Sequence, residues 1–408
     1  MEQSEEYENN TIIFDKEDSL VDYLKYKILN DYIYCKSFDK IKTTKEKIKE
    51  EDFKLEINDY SGKIIINFDF LFYNILKKLH DINDDEKTNQ IIINYVIDFS
   101  NVDFNCRTTF DNIIFKNKLL FLNVNFNNNV NFNNSEFYYL YISSCISKDY
   151  FNFKNIHINK MLRIILSEYN QNNSISFNDL NFINYNSILY INGNSNKLKE
   201  IKITDSIING KINLIGIEVE KANFIYSNIN SGIFYTVNFK VHKFANRESA
   251  LFLKQQAYAR NNAIDALQYK AQEVELHKDE LIKKSNKTYK DWADIFSIGL
   301  SSLYSDNGQN WIKALFMTIF ITALCFTVFY IPDLTDSNII RIYYRNLFPE
   351  LIKYFIPTDY SLIIKYAASK LNLFLKIFGV LVYFLGKILF WYGSVQTVQA
   401  FRKFAKGA

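Results

Sequence analysis

Two lysines stand inside an otherwise apolar run near the C-terminus, and they are the residues most able to do more than pack. The run LNLFLKIFGVLVYFLGKILFWYGSVQTVQA, from Leu371 to Ala400, contains Lys376 and Lys387. At about 100° per residue on a helix, Lys387 falls about 20° from Lys376, and Tyr383 and Ser394 lie on the same line. Gly379, Gly386 and Gly393 recur at intervals of 7 residues. They form an adjacent stripe about 60–100° round the helix. Small residues let apolar helices approach closely, and ionisable ones avoid lipid by facing a bundle interior or water. Two readings stay open. In one, Lys376, Tyr383, Lys387 and Ser394 line an aqueous pore built from several copies of the chain, where a ring of lysines favours anions or non-selective passage. In the other, each lysine snorkels to a membrane surface and the glycines serve helix packing alone.

Enzyme chemistry finds no support. The sequence lacks GxSxG, a P-loop, HExxH and the dinucleotide-binding glycine fingerprint. Cys35, Cys106, Cys145 and Cys325 form no CxxC pair, which argues against a zinc ribbon or a disulfide scaffold. His80, His157, His242 and His277 are too scattered for a histidine metal site. Asp84-Asp85-Glu86 reads as a solvated charge run. Lys387 could be a buried base, yet nothing near it in sequence completes a site. The expectation is a protein that is not an enzyme, with no catalytic residue, no cofactor and no metal.

The lysine-bearing run needs a partner, and one precedes it. From Ala314 to Ile331 (ALFMTIFITALCFTVFYI) there are 18 residues without a charge, preceded by Trp311 and Lys313 and ended by Pro332 and Asp333. That length crosses a hydrocarbon core of about 30 Å. Two spans follow, about 313–331 and 371–398, within a region 311–408 and joined by a connection 332–370. Lys283, Lys284, Lys287 and Lys290 precede the first span, and Arg402, Lys403 and Lys406 follow the second, whereas Asp333 and Asp336 open the connection. The positive-inside rule then sets both termini in the cytoplasm and the connection outside. In that connection Asn338–Ile356 and Ser361–Leu371 mix aromatic and basic residues, as segments lying in the interface do, or as an ordinary outer loop can. No TVGYG-like filter stands between the spans, and the acidic Met1–Asn10 is no signal peptide.

Charge is graded along the chain. Residues 1–90 hold 14 Lys and Arg against 21 Asp and Glu, and residues 311–408 hold 11 against 4. The basic tail is interleaved with apolar runs, which suits membrane flanks and argues against nucleic acid.

Between these ends the chain repeats. Phe110, Phe115, Phe121, Phe126, Phe132 and Phe137 step by 5, 6, 5, 6 and 5 residues, and Phe224, Ile229, Phe234, Phe239 and Phe244 step by 5. Neither a helix nor a strand has that period; a coil that turns a corner every five or so residues does, returning each apolar residue to one interior. The abundant asparagines suit the corners. The expected core is these eleven residues.

Blocks 110–137 and 224–244 resemble degenerate pentapeptide repeats. That family implies a right-handed quadrilateral β-helix. The following ANRESALFLKQQAYARNNAIDALQYKAQEVE, from Ala245 to Glu275, and the ending WYGSVQTVQAFRKFAKG, from Trp391 to Gly407, resemble bacterial membrane proteins in which such repeats precede a helical segment and two transmembrane helices. The fold expected is therefore a β-solenoid, then an α-helical hairpin with Asn246 and Asn262 as caps, then a two-helix transmembrane domain. Its divisions are an acidic cap or recognition region 1–90, a solenoid 91–244, a helical hairpin and linker 245–310, and the membrane region. The functional expectation is a multi-pass protein of a bacterial inner membrane, its cytoplasmic solenoid acting as sensor or docking surface. Its hairpin would assemble as a homo-oligomeric pore, and the architecture suggests a membrane-depolarising defence effector. The rival is a non-conducting scaffold whose solenoid binds a partner protein.

Overall fold

Phenylalanine steps of five and six set the coil length. Four such steps make 22 residues, and the strands pair in parallel at that offset: Thr108 with Val130, Ile114 with Glu136, and Ile97 with Leu119. The computed structural model of the chain describes residues 10–26, 54–57, 62–79, 90–148, 150–166, 173–330, 348–356, 358–367 and 372–405. Cys35, His80, the Asp84-Asp85-Glu86 run and 332–347 of the connection lie outside them. The described residues form two compact units, Met1–Ser249 and Ala250–Ala408.

The first unit is a parallel β-solenoid of about seven turns. Its interior is a set of aromatic ladders running from coil to coil. Phe110, Phe132, Phe153 and Phe177 stack in succession with ring centroids 5.1, 4.8 and 4.7 Å apart, and Phe99 stacks on Phe121 at 5.0 Å. Ten of the eleven expected core residues are buried: Phe110, Phe115, Phe121, Phe126, Phe132, Phe137, Phe224, Phe234, Phe239 and Phe244. Ile229 is the exception and is half-buried. Its strand, Asn228–Ile229, pairs with Ile207–Ile208, and among the described residues no coil is paired on its other side. Between Phe182 and Phe224 isoleucine and leucine replace phenylalanine, with Ile191, Ile201, Ile203, Ile212 and Leu214 fully buried, and the coil stays continuous.

Asparagine makes the corners. Asn101, Asn112, Asn123 and Asn134 have φ between 52° and 60°, a left-handed conformation that asparagine tolerates better than most residues. They are spaced by 11 residues, which is half a coil. Their amides stack as ladders, Asn123 donating to Asn101 at 2.7 Å and Asn155 to Asn134 at 2.9 Å. Such bonds satisfy polar groups that a corner would otherwise leave open.

The solenoid begins earlier than residue 91. Asn10–Phe14 pairs with Gly62–Ile66, which pairs with Val102–Phe104, and Lys54–Ile57 pairs with Val96–Ser100. The acidic N-terminal segment therefore supplies strands of the same sheet. The short helix Phe72–Leu79 lies between Gly62–Ile66 and Val102–Phe104 and between Lys54–Ile57 and Val96–Ser100, where the paired positions are 38 and 42 residues apart instead of 22.

The chain leaves the solenoid through the helix Arg247–Ala259, capped by Asn246, whose Oδ1 accepts from Ser249 N at 2.9 Å. Asn261 turns left-handed, and Asn262 caps the helix Ala263–Lys283. A further helix, Tyr289–Ser305, follows where a linker was expected, opened by a Thr288–Asp291 capping box. Lys284 and the Thr288 backbone N–H hold the Asp291 carboxyl down to about 2. Then come the two long apolar helices, Trp311–Tyr330 and Leu373–Ala405, with a short helix over 348–355 and another at Ser361–Ala367 between them.

Candidate functional site

Two helices are long and apolar enough to cross a membrane, Trp311–Tyr330 and Leu373–Arg402, and only 28% and 22% of their most apolar windows lie buried inside the chain. Phe316, Phe320, Leu324, Phe374, Leu381 and Ile388 are all more than half exposed. A water-soluble protein rarely leaves so large an apolar surface open. The fold fits a membrane-anchored protein.

The two helices lie side by side and antiparallel. Trp311 meets Phe401 edge-on at 5.8 Å, Thr318 lies against Gly393, and Cys325 lies against Gly386. A side chain on any of the three glycines has no room. A Cβ at Gly379 would overlap the Tyr366 ring, one at Gly386 the Tyr354 hydroxyl, and one at Gly393 Thr318 and Tyr304. The stripe is thus filled by aromatic and threonine side chains of the same chain.

The four polar residues on the neighbouring line have separate fates. Lys387 is buried at 5% exposure, and its ammonium donates to the carbonyls of Tyr354 at 2.6 Å and Ile356 at 2.7 Å. The rings of Tyr354 and Tyr383 flank it, with centroids at 5.1 and 5.3 Å. Tyr383 is fully buried, and its hydroxyl donates to the Asp359 carbonyl at 2.7 Å. Lys376 donates to the Ala367 carbonyl at 3.0 Å, and Ser394 to Phe390 of its own helix at 2.8 Å. The structure brings Tyr383 and Lys387 together and leaves Lys376 and Ser394 apart from them. Within one chain none of these groups faces an open channel. The polar atoms of Tyr383 and Lys387 turn into the chain's own core.

Lys387 closes the end of a helix. The segment 348–356 packs Tyr354 among Phe326, Phe329 and Tyr383, and Tyr366 of the next helix joins the same cluster. A helix end carries carbonyls without intrahelical partners, and Lys387 takes two of those near 354–356. Lys376 does the same for the helix Ser361–Ala367. Tyr330, at the end of the first long helix, donates to the Glu350 carboxylate. In a bilayer with Trp311 at its surface, Lys387 lies level with Cys325, about 20 Å in at 1.5 Å per residue. The segment 348–356 would then dip below the far surface. Non-helical backbone is tolerated there only where protein satisfies it.

Crowding at Gly386 makes a test. Gly386→Ala should cost about 1–3 kcal/mol by overpacking against Tyr354. Tyr354→Phe removes the hydroxyl that the new methyl would strike. The double variant should be more stable than the two single losses predict, by at least about 0.5 kcal/mol in a double-mutant cycle of unfolding in detergent.

A second feature lies on the solenoid. Outward-facing strand residues are usually polar. On one wall the cross-coil row Leu120, Tyr141, Arg163, Tyr190, Asn213 and Tyr235 is largely apolar and aromatic. The next row, Lys118, Tyr139, Met161, Ile188, Lys211 and Ile233, adds four apolar or aromatic side chains and two lysines. At about 4.8 Å per coil the wall runs about 24 Å. Arg163 sits in its middle, its guanidinium 5.6 Å from the Tyr141 ring and 5.0 Å from the Tyr190 ring. Its Nε is buried without a hydrogen-bond partner, and it makes no ion pair among the described residues. Another wall of the same coils, the row Asn152, Ser176, Lys202 and Asn223, is polar throughout. Sequence reading missed the aromatic wall, because between residues 138 and 190 the five-residue register survives only in a fragment, Phe177 and Phe182, which does not say which side chains point out.

Among the described residues no group of His, Cys, Asp and Glu could hold a metal ion. Burial pushes the Cys106 thiol up to about 11 and the Cys145 thiol up to about 12, so neither is a ready nucleophile. No family model matches this chain, and no characterised relative or solved structure is similar to it.

Proposed function

We propose that this protein is a non-conducting, membrane-anchored docking protein. The pair Trp311–Tyr330 and Leu373–Ala405 is its anchor, and the solenoid wall around Arg163 is its binding surface. The observation that carries the reading is that the line and the stripe a pore would need are engaged within one chain. Lys387 is bonded to Tyr354 and Ile356, and the glycines are covered by Tyr366, Tyr354 and Thr318. The basic flanks support a bacterial inner-membrane location with both termini in the cytoplasm. The partner is a protein presenting apolar side chains around a carboxylate, which would meet the unpaired guanidinium of Arg163 in a bidentate bond. No catalytic step belongs to this reading.

Vesicles reconstituted with the purified protein are expected to hold their ion gradients at any imposed potential. In detergent the protein should run as a monomer or dimer. A conducting ring of four or more copies whose selectivity shifts in Lys376→Gln would overturn the anchor reading in favour of an oligomeric pore. A photo-crosslinker in place of Tyr190 should give one discrete protein adduct in cells that Arg163→Glu abolishes. Equal adducts from the position of Ser176 on the polar wall would count against the docking surface.

A further inference from the structure

The helix Tyr289–Ser305 is amphipathic with its faces reversed. At about 100° per residue, Tyr289, Trp292, Ile295, Phe296, Leu300 and Leu303 share one arc, and Lys290, Asp291, Asp294, Ser297, Ser301 and Ser305 the other. A surface helix in water buries the first arc and exposes the second. Here Tyr289, Trp292, Phe296 and Leu303 are 90, 60, 71 and 48% exposed, while Asp291 and Ser305 are 8 and 0% exposed. The serine hydroxyls of Ser301 and Ser305 donate to Gln396 at 3.3 and 2.8 Å, and Lys284 pairs with Asp291 at 2.7 Å. A side chain at Gly299 would meet nothing. Asp291, Ser301 and Ser305 of the polar arc are engaged within the chain while Lys290 and Ser297 stay exposed, and Tyr289, Trp292, Phe296 and Leu303 of the apolar arc face the surroundings.

The position of this helix says what those surroundings are. Its last turn is fastened beside the start of the first long helix, where Lys313 donates to the Ser302 carbonyl at 3.1 Å. That is the level of Trp311. Cations gather on both sides of it. Lys283, Lys284, Lys287 and Lys290 stand at its N-terminal end, and Lys287 lies 5.7 Å from the Trp292 ring. Beyond its C-terminal end a cavity of about 260 Å³ is lined by Lys270, Gln309, Gln399 and Arg402, with no acidic side chain.

We infer that Tyr289–Ser305 lies in the headgroup layer of an anionic leaflet, its apolar arc among the acyl chains and the flanking cations on phospholipid phosphates. The inference rests on the membrane-anchor reading and adds a third lipid-contacting helix to it. An aromatic and aliphatic arc with lysines at the margin is what a surface-lying helix requires. Charge selects the occupant, since an apolar protein patch has no use for the five cations Lys283, Lys287, Lys290, Lys270 and Arg402 that remain once Lys284 pairs with Asp291.

The chain has 3 tryptophans, Trp292, Trp311 and Trp391, so each can be isolated. The full chain carrying Trp311→Phe and Trp391→Phe reports Trp292 alone; Trp292→Phe with Trp311→Phe reports Trp391 in the second long helix. In phosphatidylcholine vesicles containing phosphatidylglycerol, lipids brominated near the headgroup should quench Trp292 roughly twofold and shield it from aqueous iodide. Deeply brominated lipids should quench Trp391. Replacing Lys283 and Lys290 with Gln should weaken the Trp292 signal only where phosphatidylglycerol is present. Trp292 open to iodide, or shielded without any bromine quenching, overturns the inference while a quenched Trp391 leaves the anchor standing. An unquenched Trp391 removes the anchor itself. In the unaltered protein, amides of residues 289–305 should exchange more slowly in phosphatidylglycerol vesicles than in pure phosphatidylcholine, and equal rates would also overturn the inference.

Discussion

Lys387→Leu is expected to lower the stability of the helical hairpin by about 2–4 kcal/mol, with no gain or loss of ion conductance. The Tyr354 carbonyl depends on the ammonium, and the Ile356 carbonyl shares it with the Asp359 N–H at 3.2 Å. A buried carbonyl left without a donor costs about 1–3 kcal/mol, and lipid offers no water to replace it. Part of that loss is offset, because the variant no longer keeps an ammonium out of water. The flanking rings of Tyr354 and Tyr383 also lose the cation between them, worth about 1–2 kcal/mol in a dry site. Thermal unfolding in detergent reads the sum. Lys387→Arg keeps a donor in reach and should recover part of it, which separates the lost bonds from lost volume. A leucine variant as stable as the parent would sink the capping role, and the segment 348–356 would need another explanation.

How much of this could be read beforehand depends on whether a signal is local. The steps between Phe110 and Phe137 fix a 22-residue coil because each ring enters the same interior, so spacing alone carries the fold. The stretch from Ile188 to Thr204 is one long strand in which Leu189, Ile191, Leu198, Ile201 and Ile203 point inward. Those residues step by 2, 7, 3 and 2 across a register shift between Asn192 and Asn196, so no regular period marks the coil there. The strands Asn10–Phe14 and Gly62–Ile66 are 52 residues apart at their paired positions, too far for any repeat to register. In the hairpin, Gly379, Gly386 and Gly393 announce a close approach, but what approaches is set by Tyr366, Tyr354 and Thr318, which no spacing rule links to them. Lys387 is the sharpest case. Its helical line with Lys376 is real, yet what decides its role is a pair of carbonyls 31 and 33 residues upstream. For Tyr289–Ser305 the two arcs are plain in the sequence; which arc faces outward is not, because periodicity is the same for a helix in water and one in lipid.

The second large effect lies in the solenoid. Phe132→Ala should cost about 3–5 kcal/mol, the range for deleting a fully buried aromatic side chain. Phe132 is completely buried, stacked on Phe110 at 5.1 Å and on Phe153 at 4.8 Å, and meets Phe121 and Phe137 edge-on. Its loss opens a gap in the middle of a ladder rather than at its end. In a solenoid each coil is held by its two neighbours, so one missing ring weakens both interfaces at once. Ile229→Ala provides the contrast: half-buried and paired on one side only, it should cost less than about 1.5 kcal/mol. Denaturant unfolding gives the two totals. Hydrogen exchange should show faster opening in the coils holding Phe110, Phe132 and Phe153 for the first variant, and in the last coil for the second. Equal costs at the two positions would mean that the rings contribute area alone. The 22-residue register would then have to be held by the asparagine corners instead.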